Sequence, residues 1–284
     1  YVVNNRAHGN VAFTNVNEGI GKVLRFGANS PDVIARLRWF REVLAPAIKA
    51  ALEAVGGIDL KAIQSQALLM GDEVHSRNTA ATALFHMALS TALAKPRIES
   101  GRTYDVLRFL PDTSQSFLTF SMASSKAIMD AAHGIEHSTI VTATARNGVT
   151  TAIRVSGLGR EWFEAPSDTP VGLYFPGFKA EDANPDLGDS AICETAGFGG
   201  FSFAASPALT LLAGGSVAQS MQYSREMYHI TVGRNPAMSL PALDFAAAPV
   251  GIDVRKVVDT GIRPVVTTGI AHKQAGIGQV GAGV

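Results

Sequence analysis

The densest run of chemically capable side chains is Asp72-Glu-Val-His-Ser-Arg-Asn78, directly behind the apolar Ala67-Leu-Leu-Met70. Burying two carboxylates, an imidazole, a guanidinium and a carboxamide beside a hydrophobic segment is costly unless each finds a partner. The stretch is therefore either an internal network of self-satisfied charges or a site. A helix starting near Gly71, turning roughly 100° per residue, would place Asp72, His75, Asn78, Thr79, Thr82 and His86 on one face. Glu73 and Arg77, four apart with the acid first, would pair on another. Asp72, His75 and Asn78 are the favoured site residues. The alternative is a divalent-metal set of Asp72, Glu73 and His75, which has the right residue types but no dedicated ligand spacing.

Four further stretches carry usable chemistry. In Asn15-Val-Asn-Glu-Gly-Ile-Gly-Lys-Val-Leu-Arg25, the polar Asn17, Lys22 and Arg25 alternate with glycines that permit close backbone approach. Lys22 and Arg25 suit an anion or, equally, a solvated face. Glu194 stands just ahead of Gly197-Phe-Gly-Gly200, a turn whose free N–H groups would suit phosphate or carboxylate. It lacks both the P-loop ending and the dinucleotide spacing. His272 and Lys273 sit in a glycine-rich tail and offer a proton carrier and a cation. His133 and His137 have metal-ligand spacing only if the helix continues, and Gly134 argues that it stops.

The elements that must position these residues are partly legible. Ser30-Pro31 opens a helix with an apolar stripe through Val33, Ile34, Leu37, Phe40 and Leu44. Pro46 starts a second helix, closed by Gly56-Gly57, and Asp59 caps a third over residues 60–70. Residues 30–96 read as a helical subdomain ended by Lys95-Pro96. Residues 97–284 read as an α+β domain, with residues 1–29 as a strand and loop segment packing on it. Residues 112–132, rich in Ser and Ala, predict an interior helix. Arg146-Asn-Gly148 between β-branched runs predicts a hairpin over 138–156. Residues 157–190 predict a long loop with a brief strand near 171–175, residues 216–232 and 252–259 predict helices, and 265–268 predict a strand.

Composition narrows the partners. The chain has 284 residues, 46% hydrophobic, with 24 basic and 24 acidic side chains. Zero net charge argues against nucleic acid, which needs a basic excess to track phosphate. No run approaches the roughly 18 apolar residues of a membrane span. The single Cys193 excludes an internal disulfide and fits a reducing cytoplasm. Beginning at Tyr1 rather than Met, the chain reads as a fragment or a processed product.

Asn17 to Gly27, Met70 to Asn78, Glu194 to Gly200, and Gly269 to Lys273 with Gly276-Ile-Gly-Gln279 together resemble the YlbE-like family. That family includes a subunit of bacterial oxamate carbamoyltransferase from anaerobic allantoin breakdown. Its members are longer at the N-terminus, and Val74 and Ser76 stand where they often carry Cys and Asn, which weakens any thiol chemistry in this motif. The resemblance implies a multi-subunit transferase exchanging a carbamoyl group between oxamate and phosphate; the expected partners are other enzyme subunits, further copies of the chain and a small anionic substrate, in the cytoplasm. It implies no firm cofactor.

Chemical reasoning supplies the roles. Lys273, Arg25 and the Gly197, Gly199 and Gly200 turn would hold phosphate. His75 or His272 would polarise the carbonyl or carry the proton, Asp72 would orient an imidazole, and Glu194 is the further acid. Asn78 and Asn17 would bind oxamate. The rival readings are a metal-dependent lyase or hydrolase of a small carboxylate and a non-catalytic assembly subunit.

Overall fold

The computed structural model describes residues 1–94 and 100–284, with the side chains of residues 100 and 101 left undescribed. The fold is α+β, as its residue pattern predicts. Strands β1 (Val2–Asn4) and β2 (Val11–Phe13) form a small antiparallel pair. Helix α1 (Pro31–Trp39) runs through one π-helical turn, Phe40–Leu44, into α2 (Ala45–Val55). Helix α3 (Leu60–Leu69) follows, capped as expected by the Asp59 side chain, which accepts from Ala62 N. Helix α4 (Thr79–Leu93) completes this group. The expected end of the helical unit at Lys95-Pro96 lies outside the described residues.

Helix α5 (Ser100–Asp112) was not anticipated. Asp112, expected to open the next helix, instead closes this one, and α6 starts only at Leu118, running to Ala131. The interior placement of α6 is correct, and small residues are the reason. Ser121, Ala123, Ser124, Ser125 and Ala127 are buried, and Gln64 of α3 bonds to both Ser121 and Ser124. Around them Phe85, Phe117 and Phe120 form an aromatic cluster with centroids 4.6–6.2 Å apart. Each such buried ring contributes about 1.5–3 kcal/mol by leaving water.

The hairpin over Asn147-Gly148 is present, as β3 (Val141–Asn147) and β4 (Thr150–Val155). Asn147 makes the turn by accepting from Val149 N and Thr150 N. With β5 (Phe163–Pro166), β6 (Gly172–Tyr174) and β7 (Leu187–Gly188), the segment 157–190 holds more strand than its composition suggests. The first of these sheets runs β5-β4-β3-β7.

The one-turn α7 (Ile192–Thr195) leads through 3-10 turns to α8 (Thr210–Ala213) and α9 (Val217–Met227). Next comes a long hairpin of β8 (Thr231–Leu240) and β9 (Ala246–Ile252), then α10 (Val254–Thr260). The last strands are β10 (Thr268–Ala271), three residues later than expected, and β11 (Gln279–Gly283). The glycine-rich tail is thus a central strand, paired with β10 on one side and β6 on the other. Glycine is required there, since a Cβ on Gly283 would stand 2.5 Å from Val171 O.

Candidate functional site

The stretch Asp72–Asn78 is not a helix. It is a buried loop between α3 and α4, and the helix expected from Gly71 begins at Thr79. Asp72 Oδ2 accepts from Ala80 N and Ala81 N, and Oδ1 from Val74 N. The carboxylate thus caps α4 from outside the helix. Burial raises its pKa to about 6, against the pull of these N–H groups and of Arg77. Glu73 does not pair with the Arg77 guanidinium. It accepts instead from His75 N at 2.8 Å and Arg77 N at 2.6 Å. Full burial pushes the Glu73 carboxyl well above its usual range, and the charges of Asp72 and Glu194 add to the effect. Val74 adopts φ of 62°, a costly conformation for a β-branched residue that this web of bonds holds in place.

His75 is oriented by Glu194, not by Asp72. Its Nδ1 lies 2.7 Å from Glu194 Oε1, with both side chains almost wholly buried. Glu194 Oε1 also accepts from Thr267 N at 3.1 Å and Gly200 N at 3.2 Å, and Thr267 Oγ1 approaches His75 Nδ1 at 3.4 Å. Oε2 of Glu194 is buried with no partner. A carboxylate accepting from Nδ1–H fixes the imidazole tautomer and leaves Nε2 as the exchangeable position. Gly199 makes room for the pair, since a Cβ there would stand 1.9 Å from Glu194 Oε1 and 2.9 Å from His75 Nδ1, at φ of 61°.

The glycine turn does not offer its N–H groups to a ligand. Gly197 N donates to Glu194 O, Gly199 N to Glu73 O and Gly200 N to Glu194 Oε1. These groups are spent on building the His75–Glu194 centre, which corrects the expectation of a phosphate cradle.

On the outer side of the 72–78 loop lies a cavity of about 370 Å³, lined in part by Ile20, Ser76, Arg77, Asn78, Gln115 and Gln279. Asn78 is buried, and its Nδ2 donates to His75 O while Oδ1 has no partner. Three of the four singled-out stretches thus line one cavity, and the fourth supplies Glu194 behind it.

The remaining candidates lie on the loops that carry Ile20 and Gln279. Arg25 donates to Gly19 O at 2.9 Å and lies over the Phe26 ring. Asn17 is buried and accepts from Gly19 N. Lys273 Nζ donates to Glu181 O, and His272 Nδ1 accepts from Gln274 N at 2.8 Å. These loops meet through Gly276 N to Phe26 O and Gln279 N to Ile20 O. The metal sets do not converge. Asp72 and Glu73 spend their oxygens on backbone N–H groups, and His133 bonds Thr142 while His137 is exposed. Among the described residues no three His, Cys, Asp or Glu could hold an ion. Cys193 is buried, with its thiol pKa pushed well up by burial, as befits a core residue.

Sequence reasoning missed Thr267, Arg77 as a cavity residue, and Gln115. Thr267 stands in the Val-Val-Thr-Thr-Gly run before β10, and nothing local marks it, since its role depends on a partner far along the chain.

Fold and site together define an α+β protein whose polar centre, an imidazole–carboxylate pair, is assembled entirely from loops and one-turn helices. A family model described as "Oxamate carbamoyltransferase subunit AllG" matches residues 1–190. The chain is 50% identical to the protein of that name from Escherichia coli (strain K12), over 99% of this chain and 68% of the relative. It is 45% identical to "Uncharacterized protein YahG" of the same organism, over 100% of this chain and 60% of that one. A crystal structure of a conserved protein of unknown function from Enterococcus faecalis V583 superposes with a TM-score of 0.97 at 46% identity, over 99% of this chain and 68% of that one. The chain belongs to the oxamate carbamoyltransferase subunit AllG family. Among the described residues no helix is long and apolar enough to cross a membrane.

Proposed function

We propose that this chain is a subunit of a carbamoyltransferase that moves a carbamoyl group between oxamate and phosphate in allantoin breakdown. The observation that carries the reading is the 50% identity, along 99% of the chain, to a protein named as such a subunit. The wider YlbE-like relationship, the association with other subunits and with further copies of itself, and a cytoplasmic setting belong to the same proposal.

The chemistry asks for a proton carrier at the nitrogen that gains or loses the carbamoyl group. His75 is assigned that task, with Glu194 holding its tautomer and Thr267 and Gly199 shaping the pair. Arg25 and Lys273 are assigned to the phosphate side, because the segments that carry them contribute Ile20 and Gln279 to the cavity wall. Asp72 is a positioning residue that sets the start of α4.

The test is formation of carbamoyl phosphate from oxalurate and phosphate by the full-length protein assembled with its partner subunits. Glu194→Gln keeps Oε1 as an acceptor and removes only the charge. Turnover should fall about 100-fold with assembly intact. The near-complete burial of His75, at 2% exposure, favours a second reading in which the pair only holds the subunit together. Turnover within about threefold of the parent would decide for that second reading.

A further inference from the structure

We propose that the cavity beside α4 is a subsite for a small carboxylate carrying an adjacent primary amide, with Arg77 taking the carboxylate and Asn78 the amide. The choice of oxamate as its probe rests on the carbamoyltransferase reading. The subsite itself rests on four observations.

First, Arg77 is the one charged residue among the described residues lining the cavity. Its guanidinium makes no hydrogen bond or close ion pair with any described residue, its charge acting on Asp72 only from a distance, while its backbone N–H is fixed by Glu73. A guanidinium fork matches a carboxylate through two parallel N–H···O bonds. Second, Asn78 is 1% exposed and its Oδ1 has no partner. Flipping the amide would not relieve this, because the oxygen would then face His75 O, to which Nδ2 now donates. The position calls for a donor from a ligand, and an amide N–H is one.

Third, the anion is not drawn by the helix end. Asp72 already takes the N–H groups of Ala80 and Ala81, so the positive charge comes from Arg77. Fourth, Gln115 Nε2 donates to Ser76 O at 3.3 Å, so the loop is braced across the cavity without using Asn78 Oδ1. At about 370 Å³ the cavity is large enough for such a ligand with a second reactant beside it.

The test is calorimetric titration of the full-length protein with oxamate and with pyruvate, which replaces the amide nitrogen by a methyl group. Oxamate should bind at least about tenfold more tightly, because pyruvate leaves the Asn78 acceptor unsatisfied. Asn78→Ala should remove that preference and leave pyruvate binding in place. Arg77→Met should weaken both at least about tenfold, and Arg77→Lys, which keeps the charge but not the fork, should fall between. Equal affinity for the two probes, no binding of either, or unchanged affinity in Arg77→Met would overturn the subsite. Carbamoyl transfer is followed separately in the assembled enzyme. Transfer with an unchanged KM for oxamate in Arg77→Met would remove the subsite and leave the transferase standing. Selective, Arg77-dependent oxamate binding without any transfer would do the reverse.

Discussion

Two regions of this protein hold ionisable side chains under opposite conditions. Asp72, Glu73, His75 and Glu194 are buried to within 2% exposure. Arg25, His272 and Lys273 sit on surface loops and are tied to backbone groups. In the first region burial strips the groups of solvent contact, so each depends on a few fixed partners and the carboxyl pKa values of Asp72 and Glu73 move up. In the second region Lys273 is exposed, and its contact is worth little to stability. Residue type alone therefore does not tell a buried polar centre from a solvent-facing one. Burial with a defined partner does.

The sharpest way to break the buried region is Gly199→Ala, which drives a methyl into the His75–Glu194 contact at a backbone angle alanine resists. A loss of about 3–5 kcal/mol in denaturant unfolding is expected. A loss below about 1 kcal/mol would mean that the pair can move aside.

Next in size is the pH response of Asp72. Its pKa in the folded chain is about 6, above its ordinary value of 3.8, so the folded form holds the proton more tightly. Stability from this group is greatest below about pH 4 and falls as pH rises to about 6, by about 3 kcal/mol. Unfolding curves of the parent and Asp72→Asn at pH 4 and pH 7 should show the variant gaining that amount relative to the parent. Glu73 shifts the same way, so parallel curves would contradict the burial assigned to Asp72. The thiol of Cys193 should resist alkylation at pH 8 in the folded protein and react on unfolding, and fast labelling of native protein would show that the core beside α6 opens. Smallest of all, Lys273→Ala should change stability by less than about 0.5 kcal/mol, since it removes one exposed contact to a carbonyl.

What the sequence made legible were features whose physics is local. The Asp59 cap, the glycines closing α2, the Asn147-Gly148 turn and the small-residue helix α6 all lie within a few residues of their cause. The loop at Asp72–Asn78 misled because its polar spacing suits a helix. Its conformation is decided by Asp72 reaching Ala80 and Ala81, and by Gly199 N donating to Glu73 O. Glu194 was marked as a candidate acid, yet its pairing with His75 spans 119 positions and leaves no periodic trace. Strands β8 and β9 escaped because Gly233, Pro236 and an alanine run hide their alternation, and β11 because glycine is what its neighbours' backbones require. The family signal was clearer, since whole motifs survive where single contacts do not announce themselves.

The pairing of β11 with β6, Gly281 opposite Tyr174, ties together two segments that are distant in the sequence. The helices from α1 to α6 can bury the aromatic cluster early, since those contacts span shorter stretches of sequence and are quicker to find. The cavity wall needs Ile20 and Gln279 together, residues far apart in the sequence whose meeting carries a large loop-closure entropy. The cavity wall is therefore expected to close after the shorter-range helical contacts have formed. Until Ile20 and Gln279 meet, the cavity lining at Arg77 and Asn78 stands open, even where the helical core beside it is already packed.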